Sequence, residues 1–261
     1  ERGSRPTAPA ACGDHFLRAA ARLLELLRPF AREASCLRRL LPPASPDLSP
    51  AAVRGWQAHG AHGCPRCGAF SALPAAGLPA PCHGCAGDPP PFDAARSLFL
   101  HAGEVRAAIL SAKYAGRPFP AGPVADRLRD AIRGTWKDLF PDAGRPTVVP
   151  VPVPPWKYLR RGCNLPALVG SCLARRLGWP IDPILLRRDG ERAPQAGLPI
   201  GERRANVAGV FRVPGPRRAP PLVLLVDDVY TSGATAAACS RALKRAGAEH
   251  IVVVTVARAA P

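Results

Sequence analysis

Acidic residues are scarce in this chain: 19 Asp and Glu stand against 36 Lys and Arg, for a formal charge of +17. That excludes an acidic solvating protein and makes anionic partners the expectation. Lysine is scarcer still, limited to Lys113, Lys137, Lys157 and Lys244. The other bases are Arg scattered among Ala, Pro and Gly, a bias that GC-rich coding also produces, so basicity alone identifies no ligand. No apolar run of membrane-spanning length is free of charge, which excludes a spanning helix for these residues and predicts a soluble chain. Aromatic residues make up 6% and are dispersed, leaving no ladder for base stacking and no sequence-reading module. Methionine is absent even at position 1, so the translated start is expected to be missing or processed.

Proline and glycine are plentiful by contrast: 33 Pro and 24 Gly take about a fifth of the 261 positions, yet 47% hydrophobic residues still permit a core. The nine Cys do not form an irregular secreted framework. Four of them fall as Cys64-Pro-Arg-Cys67 and Cys82-His-Gly-Cys85, spacing that turns two sulfurs of each pair toward one ion. Four thiolates in a tetrahedron suit structural Zn²⁺ with no open position for catalysis. Such a site fits a reducing compartment, and the expected localisation is cytoplasmic. Cys12, Cys36, Cys163, Cys172 and Cys239 sit singly and are assigned no role.

The chain reads in three parts. Residues 1–59 are helical and Pro-rich, with Asp14 capping a helix whose apolar positions run Phe16, Leu17, Leu23, Leu24, Leu27 and Phe30. Residues 60–91 lose apolar periodicity and are held by the metal in place of a core. Residues 92–261 alternate strand and helix signals and carry 26 of the bases and 13 of the acids. Strands are expected at Ser97–His101, Thr147–Val153, Ile184–Leu186, Leu222–Val226 and Ile251–Val256. Helices are expected at Glu104–Tyr114, Val124–Phe140, Asn164–Leu177 and Ala234–Ala246. The β-branched, fully apolar runs predict buried parallel strands.

The most informative segment runs from Leu222 to Thr235: an apolar strand, Asp227 and Asp228 at its end, then small hydroxyl and Gly residues opening a helix. In open α/β sheets ligands bind outside the carboxyl ends of strands, and free N–H groups at a helix start cradle phosphate. Thr231, Ser232 and Thr235 add hydroxyls, while Gly233 lets the backbone approach a phosphate oxygen closely. Carboxylates beside a phosphate must face another part of the same ligand, and a sugar diol answers, with charge to spare for Mg²⁺. The plainer alternative is a capping Asp pair before an ordinary loop.

Val226-Asp-Asp-Val-Tyr-Thr-Ser-Gly-Ala-Thr235 resembles the phosphoribosyl pyrophosphate (PRPP) loop of type I phosphoribosyltransferases. Val149-Pro-Val-Pro-Val-Pro154, Arg160-Arg-Gly-Cys-Asn164, Gln195, Arg203-Arg-Ala-Asn206, Lys113-Tyr114 and the Cys pairs narrow the likeness to the ComF/GntX branch, over about residues 60–258. The resemblance implies a type I phosphoribosyltransferase-like parallel sheet flanked by helices, with a small N-terminal zinc-knuckle domain. It assigns Asp227 and Asp228 to the ribose hydroxyls and Thr231 through Thr235 to the 5′-phosphate. The expected activity is phosphoribosyl transfer from PRPP with Mg²⁺, releasing pyrophosphate. The alternative is a non-catalytic PRPP or nucleotide module acting in DNA uptake through single-stranded DNA or a partner protein.

Arg160 and Arg161 are expected to follow a strand end and are candidate pyrophosphate contacts, since guanidinium forks suit bidentate phosphate binding; a solvated basic turn is the plainer alternative. Arg188–Val207 reads as an active-site cover or a surface loop. Tyr230, Cys163 and Leu165 depart from the family pattern, and the family's earlier Cys pairs are missing, with a lone Cys36 in their place.

Overall fold

Four strands rich in β-branched and aliphatic residues form one parallel sheet. They are β1 (Ala94–Leu100), β2 (Thr147–Pro150), β5 (Leu222–Tyr230) and β6 (His250–Arg258), in the order β1-β6-β5-β2. A short antiparallel pair, β3 (Arg187–Arg188) with β4 (Phe211–Arg212), stands apart from it. The helices are α1 (Pro50–Gly55), α2 (His83–Gly87), α3 (Gly103–Tyr114), α4 (Ala121–Arg133), α5 (Pro155–Arg161), α6 (Leu165–Leu177) and α7 (Ala234–Arg245). This description rests on a computed structural model and covers residues 49–56, 58, 63–69, 80–140, 144–189 and 209–259. The chain divides after Leu40, and all these residues lie in the second unit. The helix expected from Asp14 and the residues Gln195, Arg203 and Asn206 fall outside the described residues.

Alternation along the strands divides the core into two. Val148, Leu224, Val226, Val252 and Val254 face a cluster shared with α1, α3, α4 and α6. Val149, Val223, Leu225, Ile251 and Val253 face the other way, toward α7, Phe211 and the first Cys pair. Helices therefore flank both faces, and each strand is buried on both, as its unbroken apolar run requires. Burying one such side chain stabilises the fold by roughly 1.5–3 kcal/mol.

Several expectations change, and the strand expected over Thr147–Val153 stops at Pro150. The helix predicted over Val124–Phe140 ends at Arg133, where Gly134 donates its N–H to the Asp130 carbonyl, and a separate 3₁₀ turn follows at Lys137–Leu139. Glycine costs about 1 kcal/mol in a helix interior, and burial of Trp136 fixes the break. Ile184–Leu186 is a turn, with Ile184 exposed, and pairing starts at Arg187. The strand predicted to stop at Val226 runs on to Tyr230, because β6 continues beside it: Asp227 pairs with Thr255, Val229 with Ala257 and Tyr230 with Arg258. The expected helix from Asn164 is α6, with Asn164 as its cap, accepting from the Ala167 N–H at 3.3 Å.

Candidate functional site

The carboxyl ends of β5 and β6 gather most of the chemistry. Period-two alternation sends Asp227 and Asp228 to opposite faces of β5. Asp228 meets α3, where its Oδ2 lies 2.7 Å from Lys113 Nζ, a pair mostly shielded from water. Asp227 turns toward α7 and β3, close enough for its charge to reach Cys239 and for the Arg188 charge to reach it. Its Oδ1 accepts the Asp228 N–H at 2.8 Å. Burial, then the neighbouring charge of Asp228, pushes the Asp227 carboxyl up to about 7, against the pull of that N–H, Lys113 and Arg188. Two adjacent carboxylates, one so perturbed, form a donor set that sugar hydroxyls or a divalent cation would relieve.

The turn after β5 carries Thr231 and Ser232 exposed, and Gly233 in the left-handed region at φ 76° as the cap of α7. Ser232 Oγ accepts the Ala234 N–H at 3.4 Å. Gly233 is needed twice over. Its backbone angle disfavours any side chain, and a Cβ would stand 2.3 Å from the Tyr230 hydroxyl. The bulky Tyr230 that departs from the family pattern thus lies directly beneath the turn. Burial keeps its phenol protonated by pushing the pKa up.

Arg161 does not follow a strand end, as expected, but closes the short helix α5 before Gly162 at φ 72°. Its guanidinium sits 5.2 Å from the Tyr114 ring centre and donates to the Tyr114 hydroxyl at 3.4 Å. Cys163 feels the charges of Arg161, Asp228 and Lys113. The fold therefore brings Arg161, Lys113 and Asp228 to one corner. Arg160 occupies the preceding helical position.

The sulfurs of Cys64, Cys67, Cys82 and Cys85 all lie within 4.8 Å of one another, and Cys67 Sγ is 3.7 Å from Cys82 Sγ. Tetrahedral zinc thiolates at about 2.3 Å from the metal stand roughly 3.8 Å apart, so the residues fit Zn²⁺. Cys64 Sγ accepts the backbone N–H groups of Cys67 at 3.5 Å and Cys82 at 3.3 Å. Burial raises the Cys64 thiol pKa, but the N–H groups of Cys67, Cys82 and Arg66 outweigh it and hold it at about 6. Burial and crowding by the other sulfurs push Cys67 and Cys85 up, a repulsion that a bound cation removes.

The knuckle is joined to the sheet. The Ala95 N–H bonds the Arg66 carbonyl at 2.6 Å, and Arg96 Nη1 donates to the Pro65 carbonyl at 3.0 Å. At the far strand end Arg258 Nη1 donates to the Cys67 carbonyl at 2.9 Å. Sequence reading missed Arg258, for which the available signal was an Arg closing a β-branched run. It also missed Arg188 as a neighbour of Asp227 and the pairing of Lys113 with Asp228, which only the tertiary fold brings about. A cavity of about 520 Å³ lies between the knuckle and the turn, lined among others by Cys82, Cys85, Asp88, Ser232, Gly233 and Arg241. Among the described residues no helix is long and apolar enough to cross a membrane.

No protein-family model matches the chain. It is 31% identical to a DNA utilization protein, YhgH, of Salmonella typhimurium, over 75% of this chain and 83% of that protein. It is 30% identical to the protein of the same name in Escherichia coli strain K12, over the same shares. Competence protein F of Haemophilus influenzae is 34% identical over 51% of this chain and 56% of its own length. With the Cys₄ cluster, the parallel sheet and the strand-end acid pair in place, the chain belongs to the ComF family.

Proposed function

We propose that this protein binds PRPP at the corner made by Asp227, Asp228 and the 231–235 turn, and transfers its phosphoribosyl group with release of pyrophosphate. In this reading the sheet is of the type I phosphoribosyltransferase kind, residues 60–91 are a zinc-knuckle domain and residues 1–59 a helical, Pro-rich segment. The observation that carries it is the placement of two neighbouring carboxylates and a hydroxyl-bearing turn, leading into a 12-residue helix, at the carboxyl edge of a parallel sheet.

Asp227 and Asp228 accept hydrogen bonds from the ribose 2′- and 3′-hydroxyls, with Lys113 holding Asp228 in place. Thr231, Ser232, the backbone of Gly233 and Ala234, and Thr235 hold the 5′-phosphate against the start of α7. Arg161, with Arg160 beside it, takes the pyrophosphate. Mg²⁺ bound with PRPP would be carried at the acid pair and supplies charge neutralisation for the leaving pyrophosphate. The C1–O bond to pyrophosphate breaks and its electron pair leaves on the oxygen. The acceptor's lone pair then bonds C1, and the acids stabilise the cationic character at the anomeric centre. Relatives named for competence and DNA utilization support a role in DNA uptake or use, in a cytoplasmic, reducing setting where thiols hold zinc. Calorimetric titration with PRPP and Mg²⁺, followed by pyrophosphate release across candidate nucleophiles, tests the reading: both signals support it, and no PRPP binding rejects it.

Binding without turnover favours the second reading, a PRPP or nucleotide module that contacts single-stranded DNA. The observation behind it is α5, where Trp156 and Tyr158 are 44% and 50% exposed beside Lys157, whose ammonium lies 5.0 Å from the Trp156 ring centre. Exposed rings flanked by cations suit stacked bases and a phosphate chain. Filter binding of a single-stranded oligonucleotide is expected to weaken steeply with salt and to fall several-fold in Trp156→Ala/Tyr158→Ala. Affinity absent at low salt, or indifferent to salt, rejects DNA contact.

A further inference from the structure

We propose that the Cys₄ knuckle braces the phosphate turn through Arg258 and Tyr230, so that the metal site sets the rigidity of the 5′-phosphate cradle. The link to phosphate rests on the functional reading above; the mechanical link rests on the contacts themselves.

Arg258 is 8% exposed, and a buried guanidinium needs compensation. Among the described residues no carboxylate pairs with it. Its compensation comes from the knuckle and from a ring: Nη1 donates to the Cys67 carbonyl at 2.9 Å, Nη2 lies 3.8 Å from Cys67 Sγ, and the guanidinium carbon stands 4.2 Å from the Tyr230 ring centre. Four thiolates around Zn²⁺ carry a net charge of about −2, which a buried cation offsets. The guanidinium faces the ring as a cation–π pair.

Tyr230 is the next link. Strand register fixes it opposite Arg258, and its own carbonyl accepts the Ala259 N–H at 2.9 Å. Its hydroxyl and ring edge fill the space under Gly233, where a Cβ would meet Oη at 2.3 Å and Cζ at 2.7 Å. The ring is thus the floor on which the turn rests. A cavity of about 520 Å³, whose lining includes Tyr230 and Arg258, lies between the turn and the knuckle, and the two stacked side chains form a solid connection along its wall. The knuckle can serve as an anchor because it is itself locked to β1: Gly68, at φ 69°, approaches so closely that a Cβ would lie 2.6 Å from the Ala95 carbonyl oxygen. Arg258 and Tyr230 act as positioning residues; neither is assigned a contact with substrate.

Hydrogen exchange of the full-length, zinc-loaded chain without ligand tests this, comparing the turn (231–236) with the sheet (222–227 and 251–256). Tyr230→Val and Arg258→Met are expected to speed exchange in the turn by about tenfold while the sheet changes less than twofold. Tyr230→Phe keeps the ring and gives up only the hydroxyl, and is expected to speed exchange in the turn less than about threefold, well short of Tyr230→Val. Removing zinc from the wild type is expected to loosen the turn as Tyr230→Val does, and removing it from Tyr230→Val to add little, since both break one path. An unchanged turn in zinc-loaded Tyr230→Val overturns the proposal, as does a zinc effect of equal size with and without the Tyr230 ring. If stripping the metal or Arg258→Met unfolds the sheet too, zinc-loaded Tyr230→Val against Tyr230→Phe decides the matter. A wild type with no affinity for PRPP would sink the functional reading and leave the exchange result standing. Normal PRPP binding with no change in exchange would sink the brace alone.

Discussion

Purified protein is expected to carry one zinc per chain, and Cys64→Ser to lose most of it together with much of the stability of the knuckle. Cys64 is fully buried and Cys67 nearly so, in the same core cluster as Phe92, Ala95 and Tyr230. Between the two pairs ten of the fourteen residues are Ala, Gly or Pro. The thiolates that remain after the change repel one another without a cation, while the N–H groups of Cys67 and Cys82 exchange a sulfur acceptor that can carry charge for a shorter, neutral hydroxyl. Structural zinc contributes on the order of 10 kcal/mol to small peptide sites. Here the sheet supplies part of the framework, and the expected loss is about 3–5 kcal/mol, a fall in Tm of roughly 6–20 °C. Metal analysis and thermal unfolding check it. Substantially less than one zinc in the wild type, or unchanged metal and unfolding in Cys64→Ser, contradicts the assignment.

The largest effect on ligand binding is expected at the acid pair. Asp227→Asn and Asp228→Asn each replace a charged acceptor with a weaker one, and a hydrogen bond to a charged group is worth about 1.5–3 kcal/mol, or roughly 10- to 100-fold in affinity. Thr231→Ala removes one hydroxyl from a turn that keeps its backbone donors, so about tenfold is expected. Asp228→Asn also strips the partner from the shielded Lys113, so circular dichroism must first show the fold intact. Equal PRPP affinity in all three variants and the wild type defeats the assignment.

Proton linkage gives Asp227 a further signature. The Asp227 carboxyl is raised from 3.8 to about 7, so in the folded state it holds a proton that the unfolded chain has already lost. Stability therefore falls as pH rises through that window. Ribose hydroxyls and Mg²⁺ favour the ionised carboxylate, so PRPP affinity is expected to rise about tenfold from pH 6 to pH 8 beyond the phosphates' own titration. Asp227→Asn is expected to remove that increment.

Much of this architecture can be read from local sequence because its causes are local. The runs at Leu222–Val226 and Ile251–Val256 could only be buried strands, Asn164 and Gly178 mark the ends of α6, and the spacing of the Cys pairs specifies their convergence. Where the cause is tertiary, the pattern misleads. Asp227 and Asp228 look like the start of a loop, yet β6 supplies partners as far as Tyr230 and draws both acids into the strand. Ile184 looks like a strand residue and is exposed, because the short apolar run there is placed by Leu185 and Leu186 reaching the core. The neighbours of the candidate site were least visible: Lys113 lies 115 residues before Asp228 and Arg258 lies 191 after Cys67. Neither distance has a sequence period, so only the order of the strands brings these groups together. Tyr230 was visible as a departure from the family pattern, and its place under Gly233 gives that departure a physical reason.

A crystal structure with PRPP and Mg²⁺ bound tests the central claim most directly. The account predicts the 5′-phosphate within hydrogen-bonding distance of the 231–235 turn, with the ribose diol on the carboxylates of Asp227 and Asp228. Density for the sugar phosphate anywhere else, or a turn closed against the strand ends with no ligand in it, would contradict the account.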